Sequence, residues 1–163
     1  MSIAVFAGTF DPFTNGHLDI VRRAHTHFEK LYVSICWNPA KEHFRFTIEE
    51  RLELIRDAVK DLPNVEVTWF EGLLVDYCHS IGADCLIRSM RSGADVDYER
   101  QLETVNRTLD PSIETIYMLA SPELAYISST LVRSLMDLNI SIDALVPNAN
   151  NKIITDKLNG GNQ

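Results

Sequence analysis

The sequence predicts an α/β fold in which five parallel strands form a sheet with flanking helices. Short apolar runs, typical of strands buried on both faces, alternate along the chain with segments of helical periodicity. The residues typical of ligand sites follow the strand-like runs directly, at the edge where parallel sheets bind their ligands. Together these two patterns favour a single domain with a Rossmann-like, doubly wound sheet.

Five runs of apolar and β-branched residues predict the strands. They are residues 3–7, 31–36, 65–70, 85–87 and 113–119. In the usual order of a doubly wound sheet, the first and fourth strands are neighbours at the switch point. We therefore expect the residues after these two strands to lie close together.

Helical periodicity and capping residues predict the helices between the strands. Thr47-Ile48-Glu49-Glu50 is a capping box, and the apolar residues after it recur at spacings of three and four. We expect the later helix that begins near Ser129 to bury Leu131, Leu135 and Leu138. The last helix should open at Pro147, and residues 159–163 should fray, which leaves residues 1–158 as the domain. The other predicted apolar faces are Leu18, Val21, Ala24 and Phe28; Leu74, Tyr77, Cys78 and Ile81; and Tyr98, Leu102, Val105 and Leu109.

Length and charge limit the class of protein. A chain of 163 residues can bury the core of one domain without disulfides or metals. The formal net charge of −8 argues against a nucleic-acid binder and against binding to an anionic membrane. No apolar run approaches the roughly 20 residues of a membrane span. We therefore expect a cytoplasmic protein without nucleic-acid or membrane partners.

The three cysteines are odd in number and have no C-x-x-C spacing, so Cys36, Cys78 and Cys85 are predicted to be small core residues in a reducing compartment. A metal role for the Cys78-His79 pair is disfavoured, because neighbouring residues on a helix point in different directions.

A loop of small residues joins the first strand to the first helix. Gly8 follows the strand, Thr14 is a good N-cap, and His17 falls in the first helical turn. A glycine allows close approach of a ligand, and the N–H groups of a helix start favour an anion, to which an imidazole also donates. The loop therefore indicates a phosphate site. The alternative is an ordinary turn glycine and a solvated histidine.

Arg88 and Arg91 are predicted to follow the fourth strand. A charge at the end of a buried strand is costly unless an anionic ligand or a carboxylate meets it. For Arg91 the two interpretations are equally supported, whereas the apolar setting of Arg88 favours a ligand. The carboxylates that offer the alternative are Asp84, Asp95, Asp97 and Glu99.

Three hydroxyl residues, Ser128, Ser129 and Thr130, open the helix after the fifth strand, and Arg133 lies in its first turns. Hydroxyl donors, backbone N–H groups and the helix dipole together suit a diphosphate or triphosphate. A serine-rich N-cap without a ligand is the alternative interpretation.

Two motifs resemble the signatures of the nucleotidyltransferase superfamily. Thr14-x-Gly16-His17 is similar to its TxGH or HxGH motif, and Ile127-Ser128-Ser129-Thr130-x-x-Arg133 is similar to its ISSTxxR motif. With Lys41, Arg88 and Asp95-x-x-Tyr98-Glu99-x-Gln101-Leu102 also in place, the chain from Gly8 to Arg133 resembles the bacterial phosphopantetheine adenylyltransferases. The resemblance implies transfer of the adenylyl group of ATP to 4′-phosphopantetheine, with Mg²⁺ accompanying ATP, a homohexamer, and coenzyme A as a competing ligand.

The resemblance also implies roles for individual residues, with no metal ligand on the protein. The implied catalytic residues are His17, Lys41, Arg88 and Arg91. The implied phosphopantetheine-binding residues are Thr9, Lys41, Leu74 and Arg88. The implied ATP-binding residues are Thr9, Phe10, His17, Ser89, Met90, Arg91, Glu99, Leu124, Ala125, Tyr126, Ile127, Ser128, Ser129 and Thr130.

Two residues depart from the family pattern. Ser89 stands where the family usually has glycine, and Leu124 stands where an aromatic residue is common. Two other functions stay open: a related adenylyl- or cytidylyltransferase that acts on nicotinate mononucleotide or a polyol phosphate, and a nucleotide sensor without catalytic activity.

Overall fold

The structure is a computed structural model, and it describes residues 2–38, 40 and 43–160. Its sheet has five parallel strands in the order β3-β2-β1-β4-β5, which confirms the predicted fold class and places β1 beside β4. The strands are β1 (Ile3–Gly8), β2 (Lys30–Trp37), β3 (Val65–Glu71), β4 (Cys85–Met90) and β5 (Glu114–Leu119). The carboxyl ends of β1 and β4 therefore meet at the switch point, as expected.

Helices flank the sheet, and several begin at the residues that the sequence predicts. Thr14 and Thr47 each form a capping box, and Ser128 caps its helix through its side chain. The helices are α1 (Asn15–Ala24), α2 (Ile48–Val59), α3 (Leu74–Ile81), α4 (Asp95–Leu109), α5 (Ser129–Asp137) and α6 (Lys152–Asn159). Short 3₁₀ turns cover His25–His27 and Pro122–Leu124.

The core has one cluster on each face of the sheet. Ile87 of β4 belongs to the cluster that contains Val21 of α1 and Ile55 of α2. Leu86, its neighbour in the strand, belongs to the cluster that contains Cys78 of α3. Because side chains alternate along a strand, β4 presents its residues in turn to the α1 side and to the α3 side. A third cluster, including Val132, Met136 and Ile154, packs α5 against α6.

Several predicted helical details are wrong. The last helix begins at Lys152 with Asn151 as its N-cap, and Pro147 lies in a preceding turn. Helix α5 buries Val132 and Met136, while Leu138 is 68% exposed. The prediction is therefore wrong for Leu138, whereas Leu131 and Leu135 are partly buried and Leu135 packs against the cluster that contains Val132 and Met136.

The predicted apolar face of α4 is also mostly outside the core. Tyr98, Val105 and Leu109 are exposed, and Glu99 is the residue that this helix buries. None of the helices in the described ranges is long and apolar enough to cross a membrane.

Candidate active site

The turn from β1 into α1 holds His17 in a defined orientation. The backbone N–H of Thr14 donates to Nδ1 of His17 at 3.0 Å, and the N–H of His17 donates to Oγ1 of Thr14 at 3.3 Å. This is a capping box in which histidine takes the place of the usual glutamate. Because Nδ1 accepts a hydrogen bond, the neutral ring carries its proton on Nε2. His17 therefore offers one N–H donor.

Aromatic side chains pack around the His17 ring. The ring centroids of Phe10 and Phe13 lie 5.0 and 5.4 Å from that of His17, and that of Phe6 lies 6.3 Å away. Burial lowers the pKa of His17 to about 4, and the positive charge of Arg91 contributes to the lowering. The imidazole is therefore neutral at neutral pH and acts as a hydrogen-bond donor rather than as a cation.

Two cavities open at the carboxyl ends of β1 and β4 and share one wall. The first, of about 330 Å³, lies beside the start of α5, and the second, of about 500 Å³, lies between the end of β1 and helix α4. The residues that line both are His17, Ser89, Tyr98, Glu99 and Ser129. Molecules bound in the two cavities would meet at His17.

The first cavity has the features of an anion site. Ser128 accepts a hydrogen bond from the N–H of Leu131 at 3.0 Å, so its hydroxyl proton stays available. The N–H groups of the first helical residues have no partner within a helix, and those of Ser129 and Thr130 begin α5 at this cavity. Arg91 adds a positive charge to the same wall. A triphosphate fits this combination of donors.

The second cavity joins a charged end to an apolar side. Arg88 lies at the charged end, while Phe70, Leu74 and Leu102 line the apolar side together with the amide of Asn106. This lining suits a long molecule that carries one anionic group.

The structure corrects the predicted surroundings of Arg88. Arg88 belongs to β4 rather than to the loop after it. Its guanidinium pairs with the carboxylate of Glu99, whereas the sequence favoured an anionic ligand over a carboxylate as its partner. Its Nη1 has no hydrogen-bond partner among the residues the structure describes, so the side chain can still bind an anion in the second cavity.

The structure also shows that the Phe10 ring packs against the backbone of Gly8. A Cβ at Gly8 would lie 2.8 Å from Cε1 of Phe10, whose side chain is buried. Packing of the Phe10 ring against the backbone, and not only the approach of a ligand, therefore requires a glycine here.

Several buried contacts hold the β1–α1 loop in place. The buried carboxylate of Asp11 accepts the N–H groups of Arg45 and Phe46, both at 2.9 Å. Arg133 donates to the carbonyl of Asp11 at 2.6 Å, and the hydroxyl of Ser129 donates to the carbonyl of Pro12 at 2.8 Å. The second motif thus holds the loop that leads into the first motif, across 117 and 122 residues of sequence.

Arg51 supports the same loop from α2 and is fully buried. Its guanidinium donates to the carbonyls of Thr9 and Thr47 at 2.8 and 3.2 Å and lies over the ring of Phe44. Burial lowers its pKa, and the charges of Asp11 and Glu49 act in the opposite direction. Arg51 therefore fixes the carbonyl of Thr9 at the mouth of the second cavity.

Most of the site residues predicted from the sequence line these cavities. Met90, Ala125 and Tyr126 line neither of the two, and Lys41 lies outside the described residues. Leu102 and Asn106 were not predicted as site residues, although both follow Glu99 at spacings of three and then four on α4. That periodicity is the signal that would have found them.

Cys78 and His79 differ in burial. Cys78 is buried, and burial raises the pKa of its thiol to about 12, with the charge of Asp110 adding to the shift. His79 contacts Asp110 at the surface instead.

Comparison with known proteins identifies the family. Residues 5–135 match the cytidylyltransferase-like family. A phosphopantetheine adenylyltransferase of Caldanaerobacter subterraneus subsp. tengcongensis is 43% identical over 147 residues, which cover 90% of this chain and 91% of the relative.

The fold also resembles that of a Vibrio parahaemolyticus protein assigned as a nicotinate-nucleotide adenylyltransferase. The TM-score is 0.71 at 17% identity, over 97% of this chain and 95% of the other, and at this identity the likeness concerns the fold alone. The family match and the 43% identity together show that this chain belongs to the phosphopantetheine adenylyltransferase family of cytidylyltransferase-like proteins.

Proposed function

We propose that this chain transfers the adenylyl group of ATP to 4′-phosphopantetheine, giving dephospho-coenzyme A and pyrophosphate. The observation that carries the proposal is the meeting of two cavities at His17, one suited to a triphosphate and the other to a phosphorylated arm. The relative that is 43% identical bears the name of this activity.

The phosphate of phosphopantetheine attacks the α-phosphorus of ATP in line, without a covalent enzyme intermediate. A phosphate monoester is already a nucleophile near neutral pH, so catalysis depends on positioning and charge stabilisation rather than on a general base. Arg88 holds the attacking phosphate in the second cavity, and Thr9 lies at the same end. We assign Lys41, which follows β2 in the sequence, to the same phosphate.

His17 acts at the reacting phosphorus. Its Nε2–H donates to an oxygen of the α-phosphate, where negative charge increases as the new bond forms. Arg91, Ser128 and Thr130 hold the pyrophosphate that leaves, since they line the first cavity at the start of α5.

Mg²⁺ accompanies ATP in this proposal. Of the two described carboxylates that line the first cavity, Glu99 accepts from Arg88 through both oxygens, and Asp95 accepts the N–H groups of Arg91 and Ser92 through Oδ2 and so offers at most Oδ1. The donor set therefore fits an ion held chiefly by the triphosphate itself. When bound there, Mg²⁺ neutralises part of the phosphate charge.

The deciding experiment measures pyrophosphate release from ATP and Mg²⁺ with one acceptor at a time. Release with phosphopantetheine supports the proposal, whereas release only with nicotinate mononucleotide or a polyol phosphate assigns a related transferase. Binding of ATP without release for any acceptor indicates a sensor. Because coenzyme A contains the pantetheine arm, we also expect it to compete with phosphopantetheine for the second cavity.

We further propose a cytoplasmic homohexamer. Exposed apolar side chains of α4 and β5, Val96, Val105, Leu109, Ile116 and Leu119, form a surface that a partner copy would cover. Cys78 and Cys85 are buried free thiols, which suits a reducing compartment. Light scattering should give six times the 18.5 kDa of one chain, and Val105→Glu should reduce that mass.

A further inference from the structure

We propose that the hydroxyl of Ser89 is a second hydrogen-bond donor to the reacting phosphate, beside Nε2 of His17. This inference rests on the proposed adenylyl transfer and assigns a catalytic contact to a side chain of β4.

The alternation of β4 turns Ser89 towards His17. Ile87, two residues earlier, packs in the cluster that contains Val21 of α1, whereas Leu86 and Arg88 belong to the opposite face. Ser89 therefore faces the side of the sheet that α1 covers, and the first turn of α1 carries His17. In agreement, Ser89 lines both cavities.

The shared wall has few donors that are not already used. Both carboxylate oxygens of Glu99 accept from Arg88, and the hydroxyl of Ser129 donates to the carbonyl of Pro12. Nδ1 of His17 is taken by Thr14. Among the side chains of the described part of the chain, this leaves on the shared wall Nε2 of His17 and the hydroxyls of Ser89 and Tyr98 as donors.

Ser89 is better placed than Tyr98 to act on the reaction. Tyr98 is mostly exposed, at 62%, so water competes for its hydroxyl. Ser89 is partly buried, and its short side chain holds the hydroxyl close to the backbone of β4. Two neutral donors, one from α1 and one from β4, would thus flank the place where an acceptor phosphate meets the α-phosphorus.

The contact adds a hydrogen bond without transferring a proton. The hydroxyl keeps its hydrogen while the phosphate–phosphorus bond forms and the bond to pyrophosphate breaks. Because charge on the phosphoryl oxygens changes in that step, a fixed donor strengthens most in the transition state. Its loss should therefore lower kcat more than it raises either KM.

The test compares Ser89→Ala with Ser92→Ala, a matched control at an exposed residue that lines neither cavity. We expect Ser89→Ala to lower kcat for phosphopantetheine by about tenfold, with both KM values within about threefold of wild type. Ser92→Ala should match wild type. Thermal unfolding of each variant checks that its fold is intact.

A second measurement distinguishes a shared target from a structural effect. If Ser89 and His17 donate to the same phosphate, Ser89→Ala should cost less in a His17→Ala background than in wild type. An unchanged kcat for Ser89→Ala, a change in KM alone, or equal costs in the two backgrounds would each overturn the inference. Failure of the proposed function is separate, because wild type itself would then release no pyrophosphate with phosphopantetheine.

Discussion

Arg88 and Glu99 form a bidentate ion pair that links β4 to α4, with Nε to Oε2 and Nη2 to Oε1 both at 2.8 Å. The side chains are 24% and 9% exposed. Burial by itself would lower the pKa of Arg88, but the hydrogen bonds and charge of Glu99 outweigh it and raise that pKa. Glu99 thus holds the Arg88 guanidinium in a fixed orientation beside the second cavity.

Glu99→Ala should weaken both stability and phosphopantetheine binding. The substitution leaves the Arg88 charge without its partner, so we expect a loss of about 2 kcal/mol in the free energy of unfolding. This loss is smaller than that for a fully buried ion pair, because Arg88 is partly exposed. KM for phosphopantetheine should rise more than KM for ATP. Denaturant unfolding and initial rates measure the two effects.

Glu103→Ala is the matched control on the same helix. Glu103 pairs with the exposed Arg107 at 2.8 Å, and a surface pair of this kind contributes only a few tenths of a kcal/mol. Equal losses for the two variants would contradict a special role for the Arg88–Glu99 pair.

The sequence was sufficient to predict the sheet and the residues at its switch point. Apolar runs that are buried on both faces identify strands, and Thr14 and Thr47 identify helix starts, because these signals act over a few neighbouring residues. The position of His17 near Arg91 followed from the strand order that such sheets usually adopt.

The sequence could not predict contacts that depend on three-dimensional packing. Arg88 had several candidate carboxylates, and only the placement of α4 over β4 selects Glu99. Nothing in the pattern of α2 marks Arg51 as buried, because its burial depends on the carbonyl of Thr9 and the ring of Phe44, from two separate loops. Local spacing carries no information about such partners.

His17→Ala should lower kcat much more than it weakens ATP binding. Its Nε2–H gains strength as charge develops on the phosphate, so we expect a loss of about 100-fold in kcat with little change in the Kd for ATP. Rapid-quench rates and equilibrium ATP binding separate the two quantities. Equal losses in both would show that His17 merely binds the nucleotide.

Stability should depend on pH through His17. The pKa is about 4 in the folded chain and about 6.5 when unfolded, so the unfolded state binds more protons between these values. The free energy of unfolding should therefore fall as pH decreases from about 6.5 to 4, by up to about 3 kcal/mol. Above pH 6.5 this contribution is constant.

His17→Gln is the control for that pH dependence, because glutamine can accept the N–H of Thr14 but does not titrate. Its unfolding free energy should lack this part of the acid-induced decrease, so the difference between wild type and variant changes with pH. Parallel pH profiles for the two proteins would assign the decrease to other groups.

Gly8→Ala tests whether Gly8 serves packing or the ligand. The new Cβ would lie 2.8 Å from Cε1 of the buried Phe10, and we expect a loss of about 1–3 kcal/mol in the free energy of unfolding. Gly93→Ala is the control, since no heavy atom lies within 4 Å of its Cβ position and its φ is not positive. That variant should unfold within about 0.5 kcal/mol of wild type.

A second substitution distinguishes packing against Phe10 from the approach of a ligand as the reason for glycine at position 8. Phe10→Leu removes the ring atoms that the new Cβ would meet, so Gly8→Ala should cost less stability in the Phe10→Leu background than in wild type. Such a difference assigns the requirement for glycine to Phe10. If instead Gly8→Ala keeps wild-type stability but loses affinity for phosphopantetheine, the glycine serves the approach of the ligand, because only the ligand then meets the added methyl group.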